Sequence, residues 1–334
     1  MKCNNPDCNF EQDGNCIEGI DGSSCSNLYD FSDIELVSPD EDEDVIVQSK
    51  TAVDSSKTKI CGQLPLSIDE TQVRLKAREG KIIAFVGSIG VGKTTLISSM
   101  YDVFHKHHDL PMKFGCSDTL FAFESLCHHA RITSRATQVH TPRTSVSEGV
   151  AFYHLAVKSL IGKRIDLFLA DRAGESYTEI PNNLEFASSC VEIQRADLVL
   201  FLVDASCLGN LRTRHVTRRA TINLIKSFYE SDILLPSKKC CLLLTKYDLV
   251  LGEDAEKIAE SESEKIKSEV KRITTIDLDV MSISARPTSP EKMQLCSFSA
   301  LMNLIHASKI PNNADEFEKY RTGRSFHNLE LIDE

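Results

Sequence analysis

The stretch FVGSIGVGKTT at residues 85–95 constrains this chain more than any other. It fits the pattern G-x-x-x-x-G-K-[ST] with Gly87, Gly92, Lys93 and Thr94. The apolar run KIIAFVG (81–87) leads into it and a helical pattern over 93–107 follows, the strand–loop–helix setting that the pattern requires. Glycines let such a loop curl until its backbone N–H groups point inward around phosphate oxygens. The helix behind it adds the positive end of its dipole. Gly87, Ser88, Gly90, Gly92, Lys93, Thr94 and Thr95 are therefore expected to hold the phosphates of a nucleoside triphosphate. Lys93 would reach the terminal phosphates, as a catalytic as well as a binding group, and the Thr94 hydroxyl would ligate Mg2+. The loop is silent about the base.

A loop of this kind implies more strands beside it. Short apolar runs recur at VAFYHLAV (150–157), RIDLFLAD (164–171), DLVLFLVD (197–204), KCCLLLT (239–245) and DVMSIS (279–284). Helical patterns at about 184–195, 213–230, 254–273 and 295–308 separate most of them. This alternation predicts a three-layer α/β fold of the P-loop type, with a mostly parallel six-stranded sheet covered on both faces. Only a short turn joins 150–157 to 164–171, so that pair is expected to be antiparallel. The expected organisation is a Cys-rich module over 1–30, an acidic linker over 31–65 and the nucleotide domain over 66–312. An insert lies around 108–140 and a polar tail over 313–334.

A second carboxylate is needed at a neighbouring strand end to help hold Mg2+. Asp171 and Asp204 both end apolar runs, but only Asp171 has a glycine three residues on. In D-x-x-G the glycine N–H can meet a γ-phosphate, so Asp171 is expected on the metal and Gly174 on the phosphate, while Asp204 reads as an ordinary polar strand end. LLLTKYD then places Thr245, Lys246 and Asp248 beyond another buried strand. A carboxylate there can accept from N1–H and the 2-amino group of guanine, and Lys246 can lie across the purine. Ser284 and Ala285, at the end of the last run, can offer a backbone N–H to guanine O6. Ligands of open α/β sheets bind at such C-terminal strand ends.

Together, Gly87–Thr94, Asp171–Gly174, Thr245–Asp248 and Ser284–Ala285 resemble the nucleotide-binding motifs of Ras-like P-loop GTPases, over about residues 78–310. FAFE, TPRTSVSEGVAFYHL and DRAGES are similar to segments of the bacterial double-GTPases of conflict or anti-phage systems. The resemblance implies a protein that binds GTP and GDP, hydrolyses GTP with Mg2+ and switches its contact with a protein partner. It also implies a switch I threonine on Mg2+. Thr141 and Thr144 both qualify by position, and Thr144 lies nearer the strand. Glu175 stands where Ras-like enzymes commonly place a glutamine that orients the attacking water. A carboxylate could act there as a general base, yet it would repel the γ-phosphate unless a cation screened it. Slow intrinsic hydrolysis is expected, with an arginine from a partner as a candidate to complete the site. Arg143 and Arg172 are alternatives within the chain, each equally readable as a surface charge.

Cysteine usage and charge bound the rest. Of 12 cysteines, Cys3, Cys8, Cys16 and Cys25 cluster in a segment poor in apolar residues. Four thiolates suit a tetrahedral structural Zn2+, although the spacings are looser than C-x2-C knuckles; a reduced tail or another metal are the alternatives. The remaining cysteines, several inside apolar runs, read as reduced small hydrophobes. Cys127, His128 and His129 are adjacent and cannot easily face one ion, so they read as surface or helix residues. A net charge of −11 argues against a general nucleic-acid surface. No apolar stretch is long enough for a membrane span, and a cytoplasmic protein is expected. A GTP-binding scaffold with negligible turnover and a P-loop ATPase are the competing readings.

Overall fold

A computed structural model describes residues 2–3, 28–29, 62–106, 110–130, 149–159, 162–287 and 298–308. The chain divides into two units, Met1–Lys57 and Thr58–Glu334. In the first, Lys2–Cys3 pairs antiparallel with Leu28–Tyr29.

The second unit is built on a seven-stranded sheet. Its strands are β1 (Gly80–Val86), β2 (Met112–Cys116), β3 (Val150–Ser159), β4 (Arg164–Arg172), β5 (Leu198–Asp204), β6 (Lys239–Thr245) and β7 (Leu278–Ser282). Their order is β2-β3-β4-β1-β5-β6-β7. β4, β1, β5, β6 and β7 run parallel, whereas β2–β3 and β3–β4 pair antiparallel. The central runs read as continuously apolar because both faces are covered. Alternate residues divide between two cores. Ile82, Ala84, Val199, Phe201 and Val203 face one side. Ile83, Phe85, Leu198, Leu200 and Leu202 face the other.

The helices are α1 (Ile68–Ala77), α2 (Lys93–Lys106), α3 (Leu120–Ala130), α4 (Gly174–Glu179), α5 (Leu184–Ser188), α6 (Val191–Gln194), α7 (Ala205–Gly209), α8 (Arg214–Glu230), α9 (Asp254–Thr274) and α10 (Phe298–Ala307). Leu96 and Met100 of α2, Phe123 of α3 and Leu301 of α10 fill one core. Tyr177 of α4, Ile225 and Phe228 of α8 and Ile266 of α9 fill the other. Among the described residues no helix is long and apolar enough to cross a membrane.

Three features differ from the sequence expectation. The sheet has a seventh strand, not six: β2 lies at an edge against β3, inside the expected insert. Of its residues only Met112 is buried, and its register shifts between Phe114 and Cys116, so no alternating apolar signal marks it. α1 was not anticipated, although Ser67 and Glu70 form a reciprocal capping box at its start. The helix expected over 184–195 is instead broken between α5 and α6. There the Ser189 hydroxyl donates 2.8 Å to the Phe186 carbonyl, competing with helical continuation.

Candidate functional site

The chain order reverses beside β1, with β4 on one side and β5 on the other. Such a switch point opens a crevice at the C-terminal strand ends. The loop leaving β1 enters it with Gly90 and Gly92 at φ 74° and 94°, backbone that an L side chain would strain. α2 begins at once, its first turn closed by the Leu96 N–H on the Gly92 carbonyl at 2.8 Å.

Lys93 is buried and folded back on its own loop. Its ammonium donates to the Gly87 carbonyl at 2.9 Å and the Ser88 carbonyl at 3.2 Å. It also lies 5.7 Å from the centre of the Tyr177 ring. Burial lowers the proton affinity of Lys93, and the carboxylates of Asp171 and Glu175 oppose that shift. The Thr94 hydroxyl donates 2.8 Å to Asp171 Oδ2 across the mouth of the loop. A hydroxyl and a carboxylate are hard oxygen donors, a set that suits Mg2+. Thr94 and Asp171 therefore fit the ion that the sequence implies.

Gly174 is pressed against the loop. A Cβ there would lie 2.6 Å from the Ile89 nitrogen and 2.7 Å from its Cα, so only glycine permits the approach. Glu175 stands in the first turn of α4. Arg172, weighed above as a catalytic arginine, is instead committed to packing. It donates to Glu192 at 2.7 and 2.9 Å. The Tyr177 hydroxyl donates to the same carboxylate at 3.2 Å. Burial alone would lower the Arg172 proton affinity, but the hydrogen bonds and charge of Glu192 raise it.

On the other side of the crevice, the Thr245 hydroxyl donates to the Val91 carbonyl at 2.8 Å, tying β6 to the phosphate loop. Lys246 adopts a left-handed backbone at φ 53°. Asp248 is buried, and its backbone N–H donates 2.8 Å to the Ser284 hydroxyl. Ser284 and Ala285 follow β7, and Ala285 packs against the core.

The structure thus gathers the loop from Gly87 to Thr95, Asp171, Gly174, Glu175, Thr245, Lys246, Asp248, Ser284 and Ala285 around the C-terminal ends of β1, β4, β5, β6 and β7. Thr141, Arg143 and Thr144 lie outside the described residues, as do Cys8, Cys16 and Cys25; Cys3 is described only as part of its short strand. Asp204 is more than an ordinary strand end. It caps α7 and its Oδ2 accepts from the Lys246 ammonium at 2.7 Å. Its alignment with Thr245 in neighbouring apolar runs was the available signal. Glu192 and Tyr177 carried no signal, since neither belongs to a recognisable motif. Of the two expected alternatives, surface or helix, Cys127 is a helix residue: it lies in α3 with its side chain in the core and its thiol 3.6 Å from the Ser98 carbonyl. Cys190, Cys240 and Cys241 are likewise buried, each thiol pushed up to about 12 by desolvation.

No curated protein matches the chain. The sequence profile of the family described as double-GTPase 2 matches residues 81–305, from the second residue of β1 into α10 and across the whole crevice. The chain belongs to the double-GTPase 2 family.

Proposed function

We propose that this GTP-binding protein hydrolyses GTP to GDP and phosphate, slowly by itself, and that the bound phosphate sets its contact with a protein partner. The observation that carries the reading is the approach of Gly174 to the Ile89 backbone. With so little room between them, a γ-phosphate at the loop must act directly on the start of α4. Lys93 would exchange the Gly87 and Ser88 carbonyls for phosphate oxygens, and the Gly174 N–H would meet the γ-phosphate. Asp248 would accept from guanine N1–H and the 2-amino group, with Lys246 across the ring and Ser284–Ala285 toward O6. Thr94, Asp171 and a switch I threonine (Thr144 in our assignment) would hold Mg2+, which would supply charge neutralisation on the phosphates.

In the reaction, water attacks the γ-phosphorus and the bond to the β–γ bridging oxygen breaks, leaving GDP and phosphate. Glu175 takes the proton of that water. Its negative charge beside the phosphates also favours a second reading, a GTP-binding scaffold with negligible turnover. Single-turnover hydrolysis by purified protein separates the two. A measurable rate that falls in Glu175→Ala supports the enzyme. A rate indistinguishable from buffer, alone and with partner, supports the scaffold. We place the protein in the cytoplasm and in bacterial anti-phage defence, the setting of the double-GTPases it resembles. We assign structural Zn2+ to Cys3, Cys8, Cys16 and Cys25, in a module whose role is contact with another protein.

A further inference from the structure

Lys246 sits on a backbone that makes its position unusual. Thr245 is the direct cross-strand partner of Asp204 in the parallel β5–β6 ladder, so Lys246 leaves the sheet beside that carboxylate. Its left-handed φ of 53° is uncommon for a residue with a side chain, and it accompanies a sharp turn into Tyr247–Leu249. The side chain, 40% exposed, ends with its ammonium 2.7 Å from Asp204 Oδ2.

Asp204 is itself held. Its Oδ1 accepts from the Ser206 N–H at 2.9 Å, the Ser206 hydroxyl at 2.6 Å and the Cys207 N–H at 3.4 Å. Oδ2 faces Lys246. Burial alone would raise its pKa, but the bonds from Lys246 and Ser206 hold the carboxyl below its ordinary value, so it is charged at neutral pH. Thr245 before Lys246 and Asp248 two residues after it are fixed as well. Thr245 bonds Val91 and Val203, and the Asp248 N–H bonds Ser284.

We propose that Asp204 is a positioning residue for the nucleotide base: by anchoring the Lys246 ammonium it holds the lysine's methylene stem as a preformed shelf for the purine ring. The proposal rests on the guanine-site reading of Thr245–Asp248. A lysine without an anchor samples many rotamers, and ordering it on binding costs entropy. Anchoring it beforehand removes that cost from the binding step. The shelf touches only the ring face, so it serves guanine and hypoxanthine alike. Discrimination by the 2-amino group belongs to Asp248. If Asp204 merely capped α7, its loss would lower stability and leave Lys246 with an independent contribution.

The experiment is equilibrium binding of non-hydrolysable GTP, ITP and ATP analogues to wild type, Asp204→Asn, Lys246→Met and the double variant, with melting of each nucleotide-free protein. Methionine keeps an apolar stem and removes the ammonium. We expect each single variant to bind the GTP and ITP analogues about tenfold more weakly, by the same factor for both. The double variant should bind no more than about twofold more weakly than the worse single one, because both remove one ion pair. Wild-type affinity in Lys246→Met overturns the proposal, even if Asp204→Asn fails to fold. So does a double variant whose loss is the product of the two single losses. Failure of the wild type to prefer the GTP over the ATP analogue would overturn the guanine reading and the proposal with it. A retained preference without coupling overturns only the proposal.

Discussion

Breaking the Arg172–Glu192 pair by one partner should cost more than removing the pair altogether. Arg172 is 8% exposed and Glu192 is fully buried, and two hydrogen bonds of 2.7 and 2.9 Å join them. Glu192→Leu leaves a buried guanidinium with no counter-charge, a change that costs about 3–5 kcal/mol. For a domain of this size each kcal/mol moves the midpoint by roughly 2–4 °C, so Tm should fall by about 6–20 °C. Adding Arg172→Met removes the stranded charge and places an apolar stem near the Phe186 ring, which the guanidinium now faces at 5.7 Å. Most of the loss should return. What remains is the Tyr177 hydroxyl, whose acceptor at 3.2 Å is gone; an unpaired buried hydroxyl costs about 1–3 kcal/mol. Tyr177→Phe on that background should therefore be stabilising, while keeping a ring below Lys93. Thermal and urea melts of wild type, the Glu192→Leu and Arg172→Met singles, the double and the triple variant decide the matter. A Glu192→Leu protein within about 1 kcal/mol of wild type, or a double variant as unstable as the summed singles, refutes the account of this cluster.

Three further outcomes are expected. Gly174→Ala places a methyl 2.6 Å from the Ile89 nitrogen, so either the loop or α4 must move. GTP affinity should fall by roughly tenfold or more and GDP affinity by less, as titrations of both would show; equal losses would deny Gly174 its γ-phosphate role. His154 is fully buried; its Nδ1 accepts the Asp118 N–H at 2.9 Å and its Nε2 lies 3.3 Å from Asp166. Burial lowers its pKa below the ordinary 6.5, against the pull of both carboxylates. The unfolded chain then takes up a proton that the folded one refuses. Stability should be full above about pH 6.5 and decline below it, with a shallower decline in His154→Gln by urea titration. Elemental analysis should find about one zinc per full-length chain and none in a chain starting at residue 60; equal metal in both would exclude the four cysteines as its ligands.

Short-range spacing made the crevice legible. Gly87 to Thr94, Asp171 to Gly174 and Thr245 to Asp248 are each short continuous segments at the C-terminal end of a strand whose burial on both faces makes a continuous apolar run. The parallel core was readable for the same reason. What escaped were pairings that only the fold creates. Asp204 and Lys246 are 42 residues apart, and Arg172 and Glu192 are 20 apart. No periodicity brings such residues together, and each alone reads as an ordinary charge. β2 escaped because an edge strand with one buried residue has almost no apolar pattern to show. α1 is different: S-I-D-E at 67–70 carried a capping-box signal that could have revealed it.

Asp248→Asn tests the central claim most directly, because the claim is that a buried carboxylate at the end of β6 reads guanine. An amide in place of the carboxylate can no longer accept from both guanine donors, but it can donate to the 2-oxo group of xanthine. Titrated side by side, GTP should lose affinity by roughly 10- to 100-fold and xanthosine triphosphate should become the preferred ligand. Unchanged GTP affinity in Asp248→Asn, with no gain for xanthosine triphosphate, would contradict the account.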